Sequence, residues 1–279
     1  MSRISWKAIE PFGAAIDLDL SARLAPEQLS ELRSIYRDRG LLVFEGQSLS
    51  YPAQLEIGAW FGRVIAEKSP SIVSPDPKVG SLGHKELAFH SDLACAAEPL
   101  EAISLHALDV DDGQSETWFV ETMAVLDRLP APLRRRLNGL SALHLWPTVA
   151  NSSARKRGSG DVPDDWPGAT HPVLFTHPQT GGDILFLNAG QTERIVGLAP
   201  DESEDLIETV FGYLYDPRFR YAHPWKAGDF VLWDNMRFQH GRPAIRAGVR
   251  RNLQRVAMGS RAYVDEMPPD FRATYAAIL

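Results

Sequence analysis

From about residue 100 the chain is divided into short apolar or alternating runs: "EAISLHALDV", "SETWFV", "GGDILFLN", "RYAHPWKAGDFVLWDN" and "RNLQRVAMG". Gly, Asp or Pro bounds these runs, the punctuation of short strands joined by turns. A series of such strands predicts a sandwich or barrel. Helical spacing appears at the front, in 25–40 (Leu29, Leu32, Ile35 and Tyr36, with Gly40 as the stop) and in 51–64 (Leu55, Ile57 and Trp60 as core). "LLVF" (41–44) between them is a short buried strand. Two further helices are expected at 121–139 and 201–215, the second with the acidic start that suits a helix N-terminus. The predicted fold class is therefore mainly β with flanking helices (α+β), a double-stranded β-helix or jelly roll with helical packing on one face.

No repeat and no long linker interrupts the 279 residues, so one domain over 1–279 is expected. Two segments are rich in turn residues, 70–86 and the very polar 148–168. Both are candidates for lids over a site, the second equally for a plain surface excursion. The formal charge of −7 argues against general binding to nucleic acid or anionic membrane, each of which needs a basic surface. Cys95 is the only cysteine, which excludes an intrachain disulfide and a Cys-rich zinc site and leaves a small buried apolar residue. No apolar run has the length of a membrane span, and the first twenty residues lack a signal-peptide core; the expected address is the cytoplasm. A small-molecule partner is expected, and a homo-oligomer is left open.

Residues 89–92 read "FHSD". On a strand, His90 and Asp92 would leave the same face and offer an imidazole and a carboxylate side by side, two thirds of a common iron site. A rival pair, His84 and Glu86, lies six residues earlier. Of the remaining histidines, His171, His177 and His223 each precede Pro and read as turn or strand-edge residues, while His106 and His144 sit in apolar runs as core histidines. His240 differs, because it follows the strand of "GDFVLWDNMRFQH" and is expected at a loop edge. Downstream, Arg251, Leu253 and Arg255 alternate, so both arginines would share one face. A planar guanidinium near a metal can grip a carboxylate bidentately, as a dicarboxylate co-substrate requires.

With these pieces in place the sequence resembles the taurine dioxygenase (TauD/TfdA) family of Fe(II)- and 2-oxoglutarate-dependent oxygenases. The matching blocks run in family order from "GLLVF" and "FHSD" through "ALDVDDGQSETWF" and "HPVLFTHPQTGGDILFLN" to "HPWKAGDFVLWDNMRFQHGR" and "RRNLQR". The resemblance implies Fe(II) held by His90, Asp92 and His240, with 2-oxoglutarate and O2 as co-substrates. It implies Thr117 and Arg251 at the distal carboxylate of 2-oxoglutarate, and Arg255 near its C1 carboxylate or the substrate anion. The implied reaction is hydroxylation, desaturation or oxidative cleavage of a small, anionic organic molecule, releasing succinate and CO2. The carboxylate of Asp92 favours these outcomes over halogenation, for which the family's halogenases replace it with a small residue. Leu93 and Trp118 are candidates to contact an apolar or aromatic part of the substrate, whereas Phe89 and Phe119 read as core. Two departures stand out: "DDGQSET" lacks the usual glycine pair before the threonine, and Glu86 occupies a position that often carries an amide. Two other classes compete, a cupin-like metal protein (hydrolase, isomerase or sensor) that does not use 2-oxoglutarate and a non-catalytic binding module. Thr117 and Arg251 speak against the first, the complete triad against the second.

Overall fold

The run "GDFVLWD" becomes the strand Phe230–Asp234, in which every residue is buried. Strand alternation explains how: Val231 and Trp233 enter one core, Phe230 and Leu232 another on the opposite face. The neighbouring strand Leu41–Phe44 divides in the same way, Leu41 and Val43 against Leu42 and Phe44. Complete burial of side chains of this size contributes about 1.5–3 kcal/mol each, so the two strands anchor both cores at once.

The computed structural model describes residues 3–65, 69–146 and 166–269. The expected lid at 148–168 therefore lies, apart from its last three residues, outside the described residues. A nine-stranded sheet runs Ser5–Ala8, Ala14–Asp17, Leu41–Phe44, Phe230–Asp234, Ala102–Val110, Arg251–Met258, Ser71–Ser74, Ser81–Leu82, with Val64–Ile65 paired to Arg251–Met258 off this path. Opposite stands a four-stranded sheet ordered Arg220–Pro224, Glu116–Glu121, Phe238–Arg242, Leu87–His90. One core gathers Val231, Trp233, Ile103 and Leu105 of the large sheet with Phe119 and Phe238 of the small one. This is the expected mainly β jelly roll, two sheets packed face to face.

Helices cover both outer faces rather than one. Pro26–Arg39 and Tyr51–Gly58 feed the core on the outside of the large sheet. Pro200–Leu214 lays Leu206, Ile207, Val210, Phe211 and Leu214 on a core that includes Val120 of the small sheet. The first helix ends at Gly40, whose φ of 67° and lack of Cβ are both needed, because a Cβ there would stand 2.4 Å from the Phe238 ring. The second is six residues shorter than its periodicity suggests. A Cβ at Gly58 would lie 2.9 Å from Met258 Sδ, so the helix ends against the sheet, and Val64–Ile65 joins that sheet as a strand. The expected helix 121–139 is also broken. Glu121 remains in its strand, and two short helices, Val125–Arg128 and Ala131–Leu137, flank Pro130. The 70–86 segment, expected as loop, contributes the two parallel edge strands Ser71–Ser74 and Ser81–Leu82. No helix among the described residues is long and apolar enough to cross a membrane.

Candidate metal and anion site

Pairing of Leu87–His90 with Phe238–Arg242 sets His90 directly opposite His240, with ring centroids 4.3 Å apart. His240 thus lies within a strand rather than at a loop edge. Arg242 faces Leu87, so Ala88 and Phe89 stand against Gly241 alone, a bulge that re-aims the histidine end of the strand. Glycine is required there, since a Cβ would come within 2.8 Å of the Leu87 carbonyl oxygen. Asp92 is not on the strand at all: it sits in the following turn, ahead of Leu93 at φ 58°. The shared strand face expected for His90 and Asp92 is therefore replaced by a turn that brings the carboxylate back.

Asn235 fixes that turn. Its Oδ1 accepts from the Asp92 N–H at 2.9 Å, and its Nδ2 donates to the carbonyls of Asp92 (3.0 Å) and Leu100 (2.8 Å). It is fully buried. Asn235→Ala should weaken divalent-metal affinity by about 10–100-fold, the usual effect of losing a residue that orients a ligand. Equilibrium dialysis with Fe(II) under argon measures it.

The ligand atoms of His90, Asp92 and His240 lie within 4.8 Å of one another, the one such His/Cys/Asp/Glu group among the described residues. His90 Nδ1 stands 2.8 Å from the Ala88 carbonyl oxygen, a bond it makes as donor, which turns Nε2 with its lone pair to the cluster. Asp92 divides its oxygens. Oδ1 lies 3.2 Å from His90 Nε2 and 3.6 Å from His240 Nε2, while Oδ2 accepts from Arg255 Nη2 at 2.7 Å and Nε at 3.2 Å. Burial opposes charge on Asp92, but Arg255 and the two histidines outweigh it and hold the carboxyl well below its usual range. Burial, with the His90 charge next, pushes the His240 imidazole down to about 3, so it is neutral and able to ligate. For His90 burial is outweighed by the hydrogen bond and charge of Asp92, which raise it. Two neutral-capable imidazoles and one ionised carboxylate fit Fe(II) with positions left open.

A second feature shares the cavity. Arg251 is 2% exposed and makes no ion pair among the described residues. Its Nη2 donates to Thr117 Oγ1 at 2.9 Å, and its Nε has no partner among the described residues. Burial, then the charge of Arg242, pushes the guanidinium down to about 9, the sign of a cation without a counter-ion. Trp225 Nε1 donates to the same Thr117 oxygen at 2.9 Å. That oxygen already accepts twice, so its own O–H is free to donate. An unpaired guanidinium beside a preset hydroxyl donor is a built anion site, because a buried charge left alone is costly.

His90, Asp92, His240, Thr117, Arg251 and Arg255 all line one cavity. The structure does not bring Trp118 there. Next to Thr117 on its strand, it leaves the opposite face, where its indole lies 6.1 Å from Phe89 and under the Arg220 guanidinium. Leu93 packs on the inter-sheet core and also does not line the cavity. His84 and Glu86 are exposed, and neither joins the metal cluster. His171, His177 and His223, read as edge residues, are buried, His177 against Asp234 at 2.9 Å. Asn235, Trp225 and Arg242 were not singled out by the sequence, although all three lie in the "HPWKAGDFVLWDNMRFQHGR" block.

The family model described as taurine catabolism dioxygenase TauD, TfdA family matches residues 6–257. Pentalenolactone F synthase of Streptomyces arenae is 26% identical over 96% of this chain and 97% of its own. The alpha-ketoglutarate-dependent 2,4-dichlorophenoxyacetate dioxygenase of Cupriavidus pinatubonensis is 27% identical over 88% of this chain and 93% of its own. Among solved structures, a taurine dioxygenase from Burkholderia xenovorans superposes with a TM-score of 0.78 at 23% identity, over 96% of this chain and 94% of that one.

Proposed function

The chain belongs to the TauD/TfdA family of 2-oxoglutarate-dependent dioxygenases, and from that premise we propose that His90, Asp92 and His240 hold Fe(II) while Arg251 and Thr117 hold 2-oxoglutarate. Bound Fe(II) would supply O2 activation, with 2-oxoglutarate as the two-electron reductant that ends as succinate and CO2. The protein's own residues supply position and charge. Arg251 Nη2 and Nε and the Thr117 hydroxyl bind the distal carboxylate of the co-substrate, and Trp225 keeps that hydroxyl turned toward it. Asp92 gives Oδ1 to the metal and keeps Oδ2 on Arg255, which orients the carboxylate and offsets its charge. Trp233, Ile103 and Leu105 close the apolar wall that excludes water. A single catalytic domain carries this reading.

The observation that supports it most is the unpaired, buried Arg251 in the same cavity as the three metal donors. A metal-only jelly-roll protein has no use for that arginine. The substrate we propose is a small organic acid. With Fe(II) bound, the charges of the metal, Arg251 and Arg255 would exceed those of Asp92 and a 2-oxoglutarate dianion, so net positive charge would remain for a further anion. Val73, Leu82 and Leu87 suit an apolar part of that acid. The test incubates the enzyme with Fe(II), 2-oxoglutarate, air and a panel of small organic acids, reading succinate and product mass together. Expected is one acid whose oxidised product forms in step with succinate, and no turnover without 2-oxoglutarate. Turnover that continues without 2-oxoglutarate would overturn the reading.

A further inference from the structure

Arg242 is as deeply buried as Arg251, 2% exposed, and likewise makes no ion pair among the described residues. It is used differently. Its Nη1 donates to the carbonyls of Lys85 (2.7 Å) and Pro243 (3.3 Å), and its Nη2 to those of Gly83 (2.7 Å) and Leu82 (3.0 Å). The terminal nitrogens of a guanidinium carry four hydrogens, so both are fully occupied by backbone oxygens. Three of those oxygens come from one segment, and that segment is bent to supply them. Leu82 stands at φ 79° and Gly83 at φ 56°, and a leucine in the left-handed region needs surrounding structure to hold it. Ile245 N–H donates to the His84 carbonyl at 2.8 Å, tying the same segment to the chain just past Arg242.

Resting on the functional reading above, we propose that Arg242 is a positioning residue, a carbonyl-capped staple that holds the segment Leu82–Lys85 so that Leu82 forms part of the wall of the substrate cavity. Arg242 lies two residues beyond His240 and opposite Leu87, so the staple joins the strand carrying one histidine to the segment leading into the other. Leu82 lines the cavity and is 40% exposed, which places an apolar side chain at its mouth. The wall therefore meets the organic substrate, whereas the co-substrate's distal carboxylate is held at Arg251. A neutral side chain at 242 would leave four carbonyls without their donor. A lysine would keep the charge but not the fork, and would satisfy only some of them.

The test compares wild type with Arg242→Met and Arg242→Lys by hydrogen exchange on the metal-free protein, and by the KM for 2-oxoglutarate on the Fe(II) enzyme. Exchange across 82–87 should rise at least tenfold in Arg242→Met and by less in Arg242→Lys, with the strands Ala102–Val110 and Phe230–Asp234 unchanged. The KM should stay within about threefold of wild type, because Arg251 is untouched. Unchanged exchange across 82–87, or an equal loss of protection throughout the chain, would overturn the staple. If Arg242→Met does not fold, Arg242→Lys decides alone by the same local criterion. Failure of the functional reading would show separately, as a wild-type enzyme that does not consume 2-oxoglutarate while the exchange pattern stands.

Discussion

Arg251→Ala is expected to raise the KM for 2-oxoglutarate by about a hundredfold or more. The guanidinium is buried, has no ion pair among the described residues, and shares Thr117 Oγ1 with Trp225, so a dicarboxylate would gain a partner already desolvated and aligned. Losing one partner of a buried, hydrogen-bonded charge pair typically costs about 3–5 kcal/mol. Arg251→Lys should recover only part, since an ammonium cannot make the bidentate contact. Arg255→Ala provides the contrast. Its side chain is 20% exposed and bound to Asp92 Oδ2, so its loss should act on metal affinity and on the ratio of product to succinate. Steady-state kinetics with both products quantified separates the two. Equal 2-oxoglutarate defects in the Arg251 and Arg255 variants, with coupling intact, would merge them into one anion site.

His240→Ala should remove iron binding at micromolar metal and with it all succinate formation. Nothing else among the described residues can replace the lost imidazole, because no other His, Asp, Glu or Cys joins the cluster. The loss should exceed the roughly 10–100-fold expected for Asn235→Ala, which only orients a ligand. Two ligands would remain, and one of them, Asp92, would still be drawn to Arg255. Anaerobic dialysis of Fe(II) against both variants gives the order directly. A His240 variant with the iron affinity of wild type would mean that another group is the third ligand.

Much of this site was legible because its residues sit in strands whose burial pattern is written in the sequence. "FVLWD" feeds two cores by simple alternation, whereas His240, expected at a loop edge after that strand, lies two residues into the next one. Arg251 and Arg255 alternate as expected and line one cavity, although a register shift between Asn252 and Leu253 bends the strand between them. The failures have a common cause in contacts between distant segments. Asp92 reaches the metal position through a turn clamped by Asn235, 143 residues away, which no local spacing encodes. The second helix gives way at Gly58 to a strand across the sheet. Arg242 reads as an ordinary arginine until the backbone carbonyls of 82–85 are seen around it.

The central claim is that one cavity joins a three-ligand iron site to a 2-oxoglutarate site. The most direct measurement is the visible spectrum of the protein under argon with Fe(II) and 2-oxoglutarate added separately and then together. Wild type should show a weak charge-transfer band only when both are present, His240→Ala should show none, and Arg251→Ala should need about a hundredfold more 2-oxoglutarate to reach it. No band in wild type at saturating iron and 2-oxoglutarate, or the full band in His240→Ala, would contradict the account.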